Sequence, residues 1–572
     1  MVRPGLYESV SEPTTVRTMV FMLFLTIEAT GHGFGPGPES LRGDRLRGRS
    51  RPEEPAPTAV LRRDRTAPSG RTPPAFPPTK RLCRSEINRG VVRARARQSA
   101  EFTRAKHDPW HQWDMDPLIL GIFQSLSPNG TVGSAWQHPD DRSADFTDLD
   151  HWIRLARMFE EARLDLLFLA DSYGFPALDG ELIPASVKEG RGIPGGDPMP
   201  LVTALAAATE RLGFILTAST TVEPPAANAR RFATLDHFTK GRIGWNIVTG
   251  SSGATAADLM GKALVPHDER YDMADDYLAL DLALWEDSWA DDALVRDKAT
   301  NTYADPAGVR MITHDGPYFR SRGILNLPPS PQRTPLLVQA GTSGRGMRFA
   351  GEHAEAVFVA GGAPERVARN IAAIRQAAVE AGRSPSAVKV LVGALFLVGP
   401  TEEAAQRTHR EMLAMSTPEG AAAIFAGNTG VDLLALDPDQ PLAQQRTELG
   451  LSNLQRYLGR DGRPGPTVRE IIEDFRVTGI NGSVFVGTGA SVADQVEEFV
   501  RTTDADGFLI QPHMTPGTYE DLIEYLLPVL RARGLARDEY VGDTLRERFF
   551  GPGHRRLPAE LRRNAGAVTT VS

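Results

Sequence analysis

The sequence lacks the residues and motifs that several common classes of protein require. It has a single cysteine, Cys83, in 572 residues, which excludes an intrachain disulfide and any zinc or iron–sulfur site built from several thiolates. It contains no phosphate-binding G-x-x-x-x-G-K-[ST], no H-E-x-x-H, no His-x-His pair on its first strand and no G-x-S-x-G elbow. We therefore predict no metal site, and the single cysteine favours a cytoplasmic protein.

Long apolar runs are also missing. The longest candidate, residues 19–27 (MVFMLFLTI), is too short to span a bilayer. Its length suits the apolar part of a signal peptide, but no A-x-A site follows it, and Glu8 and Glu12 offset Arg3 and Arg17 before it. We interpret it as something other than a secretion signal.

Charge is divided unevenly along the chain. The net charge is −8, yet residues 1–114 contain 20 Lys and Arg against 12 Asp and Glu, which leaves 44 against 60 in residues 115–572. The acidic main part gives nucleic acid no favourable field.

Residues 28–107 are rich in Arg, Pro, Gly and Ser and show no regular periodicity, a composition typical of disorder. A basic arm would be one interpretation, but only Trp110 and Trp113 near its end could stack on bases. A solvated tail, or a start codon assigned too far upstream, is the other. We predict a disordered extension over residues 1–114.

From residue 116, apolar strand patterns alternate with amphipathic helix patterns. The predicted strands are 118–123, 166–170, 213–218, 243–248, 335–340, 356–360, 388–398 and 483–486, with 508–511 as a ninth candidate. The predicted helices are 149–163, 200–211, 227–239, 269–286, 344–352, 365–381, 402–415 and 490–502. Eight strands, each followed by a helix, predict a (β/α)₈ barrel over residues 115–540, with 541–572 as a C-terminal tail.

Four long connections, 125–147, 173–198, 287–334 and 417–466, interrupt this alternation. Loops of this length are usually functional. In a (β/α)₈ barrel, insertions on the C-terminal face cover the active site.

Polar residues follow several of the predicted strands. Asp171 comes directly after the second strand and Thr217 lies near the end of the third. Asp171 could bind a ligand or cap the next turn; Thr217 could contact a ligand or simply pack in a pleated interior. The fourth strand, in GRIGWNIVTG, should be central and buried on both faces.

Two segments could bind an anion together. In QAGTSGRG, small residues around Ser343 precede a helix, which suits either a phosphate or an ordinary N-cap. In PHDERY, His267 and Tyr271 share one helix face; the alternative is a capping histidine and a packed tyrosine. Because strands four and five are neighbours in a barrel, we expect these donors to converge.

A nicotinamide-binding fingerprint is not indicated. Gly487 and Gly489 follow a strand, but Val492 stands where the third glycine is needed.

Six segments of the sequence form a series of motifs: HWIRLARMFEEARLDLLFLADSYG, ARRFATLDHFTK, GRIGWNIVTG, HDERYDMADDYLALDLALWEDSW, HDGPYFRSRGILNLPPSPQRTPLLVQAGTSGRGMRFA and DGFLIQP. This series resembles the flavin-dependent monooxygenases of the nitrilotriacetate monooxygenase component A group. That group belongs to the bacterial luciferase-like superfamily. The resemblance runs from about residue 118 to 529 and leaves residues 1–114 outside.

The resemblance implies a luciferase-type barrel that takes reduced FMN, diffusing through solution, from a separate NAD(P)H:flavin reductase. It also implies insertion of one oxygen atom of O₂ into a small organic substrate. By motif it implies FMN contacts from Asp171, Thr217, His267, Tyr271 and Ser343. It also implies a homodimer or homotetramer. As the substrate wall we predict Phe123, Trp136 and Tyr173, from the loops after the first two strands; the alternative for each is packing within a lid.

The chain departs from the group's pattern at two positions. Relatives commonly have Ser where this chain has Gly250, so a hydroxyl contact there would be lost or moved to Ser251; some have His at Asn428, which leaves the general base unassigned. Two other functions would also be compatible with these motifs. One is a deazaflavin-dependent oxidoreductase of the same superfamily, and the other is a flavoprotein without catalytic activity.

Overall fold

Eight parallel strands close into a ring in the part of the chain that the computed structural model describes, namely residues 116–128, 134–250, 253–443, 447–459, 464–479, 482–563 and 569–571. The sheet described here has nine strands, of which all but β8 belong to the ring. In chain order they are β1 (Ile119–Ser125), β2 (Leu166–Ala170), β3 (Gly213–Ser219), β4 (Ile243–Val248), β5 (Leu336–Ala340), β6 (Ala356–Val359), β7 (Lys389–Gly399), β8 (Ser483–Thr488) and β9 (Gly507–Gln511). The pairing order is β6-β5-β4-β3-β2-β1-β9-β7, and β6 pairs with β7 to complete the ring. The predicted (β/α)₈ barrel is confirmed, while the prediction for residues 1–114 lies outside the described residues.

The identity of the eighth barrel strand differs from the prediction. Residues 483–486 do form a strand, but β8 pairs only with the second half of β7, from Ala394 to Gly399. The ninth candidate, β9, closes the ring between β1 and β7. Because β7 is 11 residues long, its first half completes the barrel and its second half extends beyond it.

The strands are short apolar runs because both of their faces are covered. Inward-facing residues such as Ile119, Phe168, Ile215 and Val338 form the core of the barrel. Outward-facing residues pack against the surrounding helices.

Helices follow the strands within three residues of the predicted bounds. They are α1 (Leu149–Glu161), α2 (Pro198–Ala208), α3 (Pro225–Phe238), α4 (His267–Asp287), α5 (Gly344–His353), α6 (Pro364–Glu380), α7 (Glu402–Ala414) and α8 (Gly489–Thr503). After β9 come Gly517–Asp521, a π-helical turn Leu522–Leu526 and Leu527–Ala532. Side-chain caps on the first turns, such as Asp148, Asp197 and Thr401, explain where several helices begin.

Smaller elements occupy the connections. Short helices are Pro184–Glu189, Gly253–Leu259, Pro418–Thr429, Leu451–Gln455, Val468–Thr478, Leu545–Phe550 and Ala559–Arg563, and single 3₁₀ turns are Ala135–Gln137, Ser143–Asp145, Pro306–Gly308, Pro385–Ala387 and Leu433–Ala435. Ala177–Leu178 pairs with Glu181–Leu182, and Met311–Asp315 pairs with both Arg320–Gly323 and Thr569–Val571. No helix in the described part of the chain has the length and apolarity needed to cross a membrane.

The connection 417–466 contains more regular structure than predicted. Thr417 caps the helix Pro418–Thr429, which ends at Gly430 in the left-handed conformation. This helix and Val468–Thr478 share a core that includes Phe425, Ile471 and Phe475. We refer to residues 417–479, where described, as the cover, because residues from it line the cavity described below.

The C-terminal segment also differs from a simple tail. Leu545 and Phe549, on the helix Leu545–Phe550, join the inner barrel core. The helix lies at the N-terminal ends of the strands, where Arg546 pairs with Glu355 at 2.7 Å and donates to the carbonyl groups of Thr334 and Pro335. Residues 545–550 are therefore part of the barrel.

One buried carboxyl group makes stability depend on pH. Asp281 on α4 is fully buried and accepts a hydrogen bond from Asn228 at 2.8 Å, while its other oxygen has no partner among the described residues. Burial raises the pKa of Asp281 well above its ordinary 3.8. The folded protein thus retains a proton that the unfolded chain releases, so this group's contribution to stability is complete below about pH 4 and is lost as the pH rises above it.

Asp281→Asn should remove this dependence. We expect the wild-type free energy of unfolding to fall relative to that of the variant between pH 4 and pH 7, because the variant has no carboxyl group to ionise. Urea unfolding at several pH values measures the difference. Glu269→Gln, an exposed substitution on the same helix, is the control, and parallel curves for wild type and Asp281→Asn would contradict the prediction.

Candidate active site

The carboxyl ends of β2 to β6 surround a cavity of about 300 Å³. All five residues predicted to contact a cofactor line it: Asp171, Thr217, His267, Tyr271 and Ser343. The cover lines it too, through Asn428, Glu448, Gly450 and Asn453. The structure therefore brings together predicted residues as far apart in the chain as Asp171 and Ser343.

The turn between β5 and α5 lies beside the Tyr271 hydroxyl. Ser343 caps α5, since its Oγ accepts from the Gly346 N–H at 3.1 Å, so the capping alternative is observed. Ser343 also lines the cavity, where its hydroxyl group can contact a ligand. A Cβ at Gly346 would lie 2.8 Å from the Tyr271 hydroxyl oxygen and 3.0 Å from Ser343 Oγ. Glycine at this position is thus needed for the two hydroxyl groups to approach.

Tyr271 is a neutral donor in this part of the cavity. Burial raises the pKa of its phenol, while hydrogen bonds with Ser343, Thr249 and Gln339 act in the opposite direction. Gln339 Nε2 donates to the phenol oxygen at 3.5 Å, and the neutral phenol keeps one proton that it can donate.

His267 is the first residue of α4 and does not cap it. Its ring lies 5.3 Å from the Tyr271 ring, and its Nδ1 is 2.7 Å from Asp268 Oδ1. Its backbone N–H donates to Glu448 Oε2 at 2.8 Å. The start of α4, with the positive end of a 21-residue helix dipole, therefore borders the cavity.

Arg270 is a cavity residue that the sequence interpretation missed. It is only 2% exposed. Its Nη1 donates to the carbonyl groups of Thr249 and Gly250, at 3.0 and 2.6 Å, and its Nη2 donates to the Glu448 carbonyl at 2.6 Å. Its Nε has no partner among the described residues, so a buried cation joins the end of β4 to the cover and keeps one donor unused.

The side of the cavity at the carboxyl end of β2 is acidic. Burial, followed by the negative charge of Asp197, raises the pKa of Asp171 to about 6. Asp171 Oδ1 also accepts from the Ser172 N–H at 2.8 Å, a local capping bond. Next to it, the Tyr173 hydroxyl donates to Glu223 at 2.6 Å.

Thr217 is both a buried strand residue and a cavity residue. It is 5% exposed, and its Oγ1 accepts from Asn246 Nδ2 at 2.9 Å. Its hydroxyl proton is therefore free to point to a ligand. Asn246 Oδ1 has no partner among the described residues.

The three residues predicted for the substrate wall lie in different places. Tyr173 lines the cavity. Phe123 stacks on Phe168 and contacts Phe358, with ring centroids 5.3 Å apart in both pairs, so it lies one layer inside the barrel behind Phe358. Trp136 is 42% exposed and donates to the Glu189 carbonyl; it is absent from the cavity lining.

The two departures from the group's pattern also have structural settings. Gly250 has a φ of +91°, a conformation that favours glycine over serine. Asn428 lines the cavity, and its Oδ1 accepts from Asn453 Nδ2 at 2.7 Å. Its amide cannot act as a general base at neutral pH, and Ser251 lies outside the described residues.

A cluster of possible metal ligands lies away from this cavity. Asp275, Glu352 and His353 have ligand atoms within 4.8 Å of one another. His353 Nε2 is already 2.9 Å from Asp275 Oδ1, and the Arg345 guanidinium pairs with the same carboxylate. Because these groups satisfy one another, we interpret the cluster as an ion-pair network.

The profile of the luciferase-like monooxygenase family matches residues 130–506, which include all the cavity-lining segments. The chain belongs to the luciferase-like monooxygenase family. Luciferase-like monooxygenases are flavin-dependent oxidoreductases that incorporate oxygen, and the position of the cavity at the carboxyl ends of the strands agrees with this membership.

Three similar proteins illustrate the range of the family. The crystal structure of a riboflavin lyase with modified FMN and the substrate riboflavin is 41% identical, with a TM-score of 0.74, and covers 78% of this chain and 98% of its own. Dimethyl-sulfide monooxygenase of Hyphomicrobium sulfonivorans is 36% identical over 77% of this chain and 92% of its own. Nitrilotriacetate monooxygenase component A of Aminobacter aminovorans is 33% identical over 75% and 95%, which confirms the predicted resemblance.

The residues present fit a flavin nucleotide. The Ser343 and Tyr271 hydroxyl groups, the start of α4 and the buried Arg270 provide donors and positive potential for a phosphate. Thr217 and Asp171 place polar groups on the β2 and β3 side of the cavity, where a ring system would have hydrogen-bonding partners. The unpartnered Arg270 Nε and Asn246 Oδ1 are buried polar atoms that a bound ligand could reach.

Proposed function

We propose that this protein is the oxygenase component of a two-component, FMNH₂-dependent monooxygenase that inserts one atom of O₂ into a small organic substrate in the cytoplasm. The observation that carries the proposal is the polarity of the cavity. Cationic and neutral donors gather at the β4 and β5 ends, and an acidic and aromatic group gathers at the β2 end. Such an arrangement suits a long ligand with a phosphate at one end and a polar ring at the other.

The protein's own residues have three roles in this proposal. Ser343, Tyr271 and His267 bind the phosphate, and Arg270 adds positive charge. Thr217 and Asp171 orient the ring through hydrogen bonds. The cover limits access of water, since its Asn428 and Asn453 line the cavity.

Reduced flavin, when bound, supplies the oxygen-activating chemistry. The protein must therefore hold the flavin and the substrate together and restrict access of water. Tyr173, which lines the cavity beside Asp171, and Asn428 on the cover are our candidates for contacts to the substrate. The relatives named above act on chemically unlike compounds, so their names do not identify the substrate of this chain.

We propose that a reductase supplies the reduced flavin, because the described residues after β8 do not match a nicotinamide-binding turn: Val492 occupies the third-glycine position, and the Thr488 hydroxyl caps α8 by accepting from Ser491. The test combines purified protein, FMN, NADH, ¹⁸O₂ and a panel of candidate substrates, with and without a flavin reductase. We expect a product heavier by one ¹⁸O atom only when the reductase is present.

Three results would contradict the proposal. Sustained NADH oxidation coupled to product formation without a reductase would require a nicotinamide site within this chain. Activity with a reduced deazaflavin but not with FMNH₂ would favour the hydride-transfer alternative. Tight FMN binding without oxidation of any compound in a broad panel would favour a flavoprotein that stores or senses the cofactor.

A further inference from the structure

A carboxylate from the cover occupies the start of α4. Pro266 precedes this helix and provides no side-chain cap. Instead, the backbone N–H of His267 donates to Glu448 Oε2 at 2.8 Å, although Glu448 lies 181 residues further along the chain. The carboxylate thus takes the position at a helix N-terminus that an anion favours.

The same part of the cavity contains the donors for an anionic ligand. Arg270 is 2% exposed, lines the cavity and has an Nε without a partner among the described residues. Tyr271 on α4 and Ser343 in the β5–α5 turn line the same cavity. Glu448 lines the same cavity but is itself exposed to solvent. A ligand phosphate at these donors would share the cavity with its carboxylate, and the two negative charges would repel each other to an extent that salt reduces.

The other acidic groups nearby are placed differently. Asp268 is exposed and bonds to the ring of His267. Glu269 is exposed and is absent from the cavity lining. Asp171 lines the cavity at the end of β2, on the side proposed for the flavin ring. Glu448 is therefore the carboxylate in direct competition with a phosphate for the start of α4.

We infer that Glu448 is an internal anion that competes with the ligand's phosphate and so determines how strongly the protein prefers a phosphorylated over an unphosphorylated flavin. The identity of the ligand rests on the proposed function; the competition for an anion does not. When the phosphate binds, Glu448 must leave the His267 N–H, and when the ligand leaves, Glu448 returns. This exchange weakens FMN binding, which suits a cofactor that has to be replaced in each catalytic cycle.

Glu448→Gln tests the inference, because glutamine can still accept the His267 hydrogen bond but has no charge. We expect the Kd for FMN to decrease by about tenfold in low salt, the Kd for riboflavin to stay unchanged, and the difference to shrink as salt screens the charges. Glu269→Gln removes the same charge from the first turn of α4 outside the cavity, and we expect it to leave the FMN-to-riboflavin ratio unchanged.

Inorganic phosphate provides a second probe that does not depend on flavin. At matched ionic strength, replacing chloride by phosphate should raise the thermal unfolding midpoint of Glu448→Gln more than that of the wild type. An unchanged or lower preference for FMN over riboflavin in Glu448→Gln, or an equal phosphate effect in both proteins, would overturn the inference. If neither protein bound a flavin while phosphate still stabilised the variant more, the inference would stand and the proposed function would be wrong.

Discussion

Arg546→Met is expected to lower the free energy of unfolding by about 3–5 kcal/mol, because it leaves the Glu355 carboxylate buried without its partner. The side chains of Arg546 and Glu355 are 0% and 1% exposed, and Arg546 also donates to two carbonyl groups at the start of β5. Urea unfolding followed by tryptophan fluorescence would measure the loss. The result would show that residues 545–550 close the bottom of the barrel.

Two further variants separate this ion pair from general effects. Arg555→Met removes an arginine that is 51% exposed and pairs with Asp543 and Glu547. Glu547 keeps its hydrogen bonds from Asp543, Thr544 and Gly553, so we expect a change within about 1 kcal/mol. Adding Glu355→Gln to Arg546→Met should restore part of the stability, since the unpaired charge is then removed. A loss for Arg546→Met as small as that for Arg555→Met would mean that the C-terminal helix contributes little to the barrel.

Tyr271→Phe should weaken FMN binding by about 1.5–3 kcal/mol, because it removes a donor to a charged phosphate. Ser343→Ala should weaken it by a similar amount. Titration of each variant with FMN, monitored by flavin fluorescence, gives the change in Kd. Riboflavin is the matched control ligand: it lacks the phosphate, so its affinity should change little.

The two variants should differ in stability without ligand. Ser343 Oγ caps α5, so Ser343→Ala is expected to cost about 1 kcal/mol of unfolding free energy, whereas Tyr271→Phe removes no cap. Equal losses of FMN and riboflavin affinity in both variants would show that these hydroxyl groups act on the shape of the cavity and not on a phosphate.

Most of the fold could be predicted from local sequence patterns. Runs such as LLFLA and LLVQA are apolar throughout because they are buried on both faces, so their positions as strands were predictable. The choice between β8 and β9 as the eighth barrel strand was not, since both are apolar segments beside a helix and the difference lies in their pairing with β1. The helix Pro418–Thr429 could have been predicted from Thr417, Pro418 and Gly430, which are ordinary start and stop signals.

The candidate site was predictable where its residues follow strands or share one face at the start of a helix, as His267 and Tyr271 do. Asp171, Thr217 and Ser343 stand at strand ends, and barrel topology brings strand ends together. Arg270 and Glu448 were missed because their roles depend on contacts between α4 and the cover, which no local spacing encodes. Arg270 directly precedes Tyr271 and lies three residues after His267, and its position one turn from the start of α4 was the available signal.

Because β9 lies between β1 and β7, the ring brings together residues such as Ile119 and Gly507 that are far apart in the chain. During synthesis, seven of the ring strands are complete when residue 399 has been made, but the barrel cannot close until β9 and the helix Leu545–Phe550 have left the ribosome. The exposed edges of β1 and β7 must therefore be kept from pairing with other chains during that interval. Expression at low temperature or with a chaperone should consequently improve the yield of soluble protein more than further stabilisation of the finished barrel would.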